Sequence, residues 1–153
     1  MRFRFKLEAF LASPKKDVGG CWFDSQFNVY LTDVENTKVV KYNLANSHSA
    51  SPFANPTTLL GDGHSNSIVM AVNGDVYVGH QAGTPYKLVR YRSDGTLPVG
   101  YSPSVENGGV DWMDLATDQK TLFYTSRGRD IRTFDVFSGT QITPVGRRRL
   151  FSR

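Results

Sequence analysis

The chain has 153 residues, 39% of them hydrophobic and 21% charged, with fourteen Gly, seven Pro and a single cysteine, Cys21. A chain of about 150 residues buries roughly 70% of its unfolded surface without disulfide staples, so one folded domain is expected, and a lone cysteine excludes an intramolecular disulfide. The net charge of +4 is no nucleic-acid footprint: residues 1–16 hold five basic groups against Glu8, residues 147–153 hold four Arg and no acid, and the body between holds nine basic and thirteen acidic groups.

The order of the chain supplies the rest. Arg2, Phe3, Arg4, Phe5, Lys6 and Leu7 alternate polar and apolar, which predicts a half-buried strand followed by a linker to residue 17. Lys6 and Glu8 interrupt any apolar h-region there, so no signal peptide is expected. No run approaches the ~20 apolar residues of a membrane span, and the sequence reads as soluble. The compartment is not assigned.

From residue 18 the same pattern returns three times. The segments 28–33 (NVYLTD), 75–80 (DVYVGH) and 121–126 (TLFYTS) align at spacings of 47 and 46 residues. An apolar stretch precedes each one: 19–25, 64–72 and 108–116. A polar turn and a further strand follow, in 37–45, 86–95 and 130–139. A weaker fourth strand is expected at 57–61 and 99–105, and at either 142–146 or 147–152 at the end. Asn73-Gly74, Asp94-Gly95 and Ser138-Gly139 supply turn chemistry at matching places. No long segment has a clean helical period. Trp22 and Trp112 are expected in corresponding first strands, and Cys21 is read as a small buried hydrophobe.

Four strands in ~46 residues, repeated, is the arithmetic of β-propeller blades. The fold class expected is therefore all-β, with about three four-stranded antiparallel blades forming a partial propeller or half of an assembled ring. The units are 1–17 (N-terminal strand and linker), 18–61, 62–105 and 106–146 (blades), and 147–153 (basic tail). The stretch 74–97 (GDVYVGHQAGTPYKLVRYRSDGTL) resembles an NHL-type repeat, and 110–139 is similarly propeller-like. That group neighbours the gluconolactonase-like and quinoprotein-like six-bladed propellers. The resemblance covers residues 18–143 and implies architecture more than activity. No Trp-Asp dipeptide closes a third strand, which disfavours a WD repeat.

No catalytic motif survives inspection. Gly63-His64-Ser65-Asn66-Ser67 lacks the final Gly of a nucleophile elbow and leads into a strand. Ser13-Pro14-Lys15-Lys16 fits S-x-x-K but sits between strands. The three histidines, His48, His64 and His80, have no partner at metal-ligand spacing. Arg147-Arg148-Arg149 is too short a run for useful nucleic-acid affinity.

Propellers present ligands on the loops between strands. Asp62, His64, His80, Tyr86, Asp111, Trp112, Arg127 and Arg129 are therefore the candidate ligand-face residues. The gluconolactonase-like resemblance implies carboxylates and amides that hold calcium, for which Glu35, Asn36, Asn107 and Asp111 are the candidates here. No EF-hand spacing exists, so no cofactor is assigned beyond that calcium option. The reading is a non-enzymatic scaffold that binds protein, peptide or glycan, or a fragment of a larger propeller. The alternatives are a piece of a calcium-dependent lactonase-like or quinoprotein-like enzyme, and a self-assembling half-propeller whose homodimer completes a six-bladed ring. No nucleic-acid partner is expected.

Overall fold

In the computed structural model, residues 17–35, 38–43, 49–54, 64–81, 86–96 and 98–147 are described. Their secondary structure is entirely β, in three antiparallel four-stranded sheets. The first holds β1 (Val18–Phe23), β2 (Val29–Asp33), β3 (Lys38–Asn43) and β4 (Ser49–Ala54). The second holds β5 (Ser65–Met70), β6 (Val76–His80), β7 (Leu88–Tyr91) and β8 (Val99–Tyr101). The third holds β9 (Met113–Leu115), β10 (Thr121–Tyr124), β11 (Asp130–Asp135) and β12 (Thr140–Arg147). Each sheet is a meander of consecutive strands, and β5 lies between β1 and β9. These are three propeller blades side by side, with the first strands innermost.

The register aligns the blades residue by residue. Tyr30 pairs with Trp22 and Lys41, Tyr77 with Val69 and Arg90, and Phe123 with Asp114 and Thr133. Because strand side chains alternate between faces, each blade has one face toward the preceding blade and one toward the next. Trp22, Tyr30, Val39 and Phe53 of the first blade pack on Ile68, Val76, Val78, Val89 and Tyr91 of the second. Val69, Tyr77 and Leu88 of the second pack on Met113, Leu122, Tyr124 and Phe134 of the third. At about 25 cal/mol per Å² of apolar area, these two seams hold the blades together.

The first two strands of every blade meet in a tight turn of one design. Phe27, Gly74 and Gln119 donate their N–H to the carbonyls of Asp24, Ala71 and Ala116, each at 2.9 Å. All three have positive φ, at 60°, 87° and 58°. This hairpin end is one side of the array. The opposite side, the loop end, is where β5 and β9 begin and β6 and β10 finish.

Four expectations change. The fourth strand of the first blade is Ser49–Ala54, not 57–61, because Phe53 stacks edge-on against Tyr30 at 5.1 Å and anchors that segment. Residues 57–61 lie outside the described residues, as do the alternating segment 2–7 and most of the basic tail. Cys21 is exposed rather than buried; its neighbour Trp22 takes the face toward the second blade, and strand alternation turns Cys21 the other way. Trp22 and Trp112 are not equivalent. Trp22 pairs with Tyr30 inside β1, whereas Trp112 precedes β9 and accepts from Thr125 N, two places further along the blade. The third blade closes with an eight-residue strand, Thr140–Arg147, which takes Arg147 from the tail.

Candidate functional site

The loop end gathers several of the residues singled out above. Asp111, just ahead of β9, is the hub. Its Oδ1 accepts from Asn66 Nδ2 at 2.8 Å, and its Oδ2 accepts from Arg127 Nε at 3.1 Å. Asn66 belongs to β5, so the network bridges the second and third blades. The backbone underneath is rigidly tied. Val110 N donates to the His80 carbonyl at 2.8 Å, and Asp111 N donates to the Thr125 carbonyl at 3.0 Å. Ser67 Oγ also donates to the Val110 carbonyl.

This packing depends on glycine at 109, where a Cβ would land on the His80 carbonyl oxygen. Beside it, Arg127 holds a left-handed backbone, with φ of 56°, a conformation that costs a non-glycine residue about 1–3 kcal/mol. The Arg127 side chain is 53% exposed in its pair with Asp111. Trp112, next in sequence to Asp111, is 54% exposed. Trp and Arg are residue types enriched at interface hot spots, and here they lie at the loop end of the third blade.

The remaining candidates distribute differently. His80 ends β6 with its ring buried, so it supports the surface from below. His64 is exposed, and its Nδ1 lies 2.8 Å from the Val34 carbonyl, where it joins the second blade to the first. Tyr86 is half-buried under Gly100 and against the seam between the first two blades. Arg129 and Asn107 are exposed, and Asn107 N donates to the Ser126 carbonyl. Glu35 is exposed in the turn after β2. Asp62 and Asn36 lie outside the described residues. No group of three or more His, Cys, Asp and Glu converges among the described residues.

Glu106 was not singled out by sequence reasoning, yet it braces the same loops. Its N–H is received by Ser126 Oγ at 2.9 Å, and its carboxylate lies 3.8 Å from Arg132 Nε. Its position immediately before Asn107 carried no motif that could have marked it.

The hairpin end carries two grooves, a feature the sequence did not suggest. One of about 440 Å³ is lined by Trp22, Asp24, Tyr30, Met70, Val72 and Ser93. The other, of about 350 Å³, is lined by Val72, Tyr77, Arg90, Gln119 and Phe137 among others. In the first, burial raises the Asp24 pKa, but hydrogen bonds from the Asn28 side chain, the Asn28 and Gln26 backbone and Tyr30 together hold it below the ordinary carboxylate value. Asp24 is thus an ionised brace of its own turn.

The architecture is that of a β-propeller, and solved structures agree. The chain is similar to a streptogramin B lyase, with a TM-score of 0.67 at 16% identity over 88% of this chain and 42% of that one. It is similar to virginiamycin B lyase from Staphylococcus aureus, solved as a catalytically inactive variant with quinupristin, with a TM-score of 0.67 at 19% identity over 87% of this chain and 42% of that one. The WD40 repeats of RRP9 give a TM-score of 0.62 at 10% identity, covering 88% of this chain and 40% of that one. The chain therefore spans about two fifths of the length of these propellers. No family model and no curated protein sequence matches it.

Proposed function

We propose that this chain is a non-enzymatic propeller module that binds a protein or peptide partner on its loop end, across the seam between the second and third blades. The observation that carries this reading is Trp112, 54% exposed and one residue after Asp111 of the Asn66–Asp111–Arg127 network. Tryptophan and arginine dominate the energetics of protein interfaces.

A displayed peptide library selected on the immobilised chain tests this. Selected peptides are expected to lose at least tenfold in affinity, about 1.4 kcal/mol, against Trp112→Ala. Peptides indifferent to that substitution sink the reading. The calcium-dependent enzyme reading has a direct counter-test. A rise in melting temperature with added calcium, reversed by chelator, would favour it.

A further inference from the structure

The repeat register shows two faces built for stacking and only partly covered. On the side of a blade that meets the next one, Val39 and Leu88 are equivalent and both 0% exposed, yet their counterpart in the third blade, Ile131, is 49% exposed. Phe123, the counterpart of the buried Tyr30 and Tyr77, is half-buried on the same face. On the side that meets the preceding blade, Ile68, Val76, Val78 and Val89 are buried in the second blade. Their counterparts in the first blade are Cys21, Val29, Leu31 and Val40. These keep the small, apolar and β-branched character of the socket, but Cys21 is exposed and Val29 and Val40 are half-exposed. Apolar seams of this kind form twice within the chain, between faces of the same two types.

We infer that the outer face of the third blade, centred on Phe123 and Ile131, docks against the outer face of the first blade, centred on Val29 and Val40, of a second copy of this chain. The contact is head-to-tail, so it uses two different patches, and two copies exchange both contacts in one closed pair. Rings close with about 4–8 blades, and two copies of the three blades described here make six. The two unlike patches are what makes a closed ring possible, since a head-to-tail contact either closes or propagates. The proposal does not rest on the loop-end ligand.

The test uses the full chain and a charge exchange. Light scattering after size exclusion is expected to give twice the 17.1 kDa chain mass for wild type, at concentrations above a Kd on the order of 1 µM. Ile131→Lys alone and Val40→Glu alone are each expected to be monomers, with circular dichroism and melting temperature showing a retained fold. Mixed together, they are expected to pair again. Val39 and Val89, the equivalents of the two substituted residues, lie in one buried cluster, which brings the new Lys and Glu together across one interface and leaves the other native. A wild-type monomer at every concentration, single variants that still pair, or a mixture that stays monomeric would each overturn the proposal.

Discussion

Phe27 and Gln119 stand at the same place in two different blades, and both hold a left-handed backbone, with φ of 60° and 58°. The second blade has Gly74 there, for which that conformation is free of strain. Gln119 gains something in return: its Oε1 accepts from Val72 N at 2.8 Å and ties the third blade to the second. Phe27 is 65% exposed. Phe27→Gly is therefore expected to stabilise the fold by about 0.5–1 kcal/mol, the relief of a left-handed bulky residue less the added chain entropy. Gln119→Gly relieves similar strain but loses the tie, and should gain nothing. Chemical denaturation of both variants checks this, and equal gains would refute the role given to Gln119.

Arg127 poses the same question at the loop end. Arg127→Gly removes a left-handed arginine and an exposed ion pair worth about 0–1 kcal/mol. Stability is expected to change by less than ~1 kcal/mol, while affinity for a loop-end peptide falls. A stability loss well beyond that would recast Arg127 as a structural brace.

Gly109→Ala should be the opposite case. Its Cβ would meet the His80 carbonyl oxygen and the Gln81 backbone, with no flexible side chain to yield. Overpacking of this kind costs about 1–3 kcal/mol and occasionally more. The seam between the second and third blades would open, so a lower melting temperature is expected together with weaker binding at Trp112. Unchanged stability would mean that the loop ahead of β9 adapts.

Acid should destabilise the protein through its turns. Asp118 is held below its ordinary value of 3.8 by the Thr121 backbone N–H first and then by those of Lys120 and the Thr121 hydroxyl. Asp135 is lowered chiefly by the Ser138 backbone N–H, and Asp94 by the Thr96 hydroxyl. A depressed folded-state pKa means that the folded protein binds fewer protons than the unfolded chain. The stabilisation is thus fully present above the unfolded carboxylate value of about 3.9 and is lost as pH falls through the folded values. Melting temperature is expected to hold from neutral pH down to about 5 and to drop below about 4. Asp118→Asn should flatten that drop, and an unaltered slope would remove Asp118 from the explanation.

The sequence by itself determined the blade. The spacing of Tyr30, Tyr77 and Phe123, the β-branched runs around them and the glycine turns at Gly74, Gly95 and Gly139 follow from local chemistry, because alternation and positive φ are properties of a few adjacent residues. Three things were settled only by tertiary structure. Which strand completes the first blade turned on Phe53 reaching Tyr30, a contact across two strands that no local pattern in 49–54 announces. The fates of Cys21 and Trp112 depended on register, since a shift of one residue exchanges the faces of a strand. The Asn66–Asp111–Arg127 network joins residues 45 and 16 positions apart; only the stacking of one blade on another brings those side chains within hydrogen-bond reach.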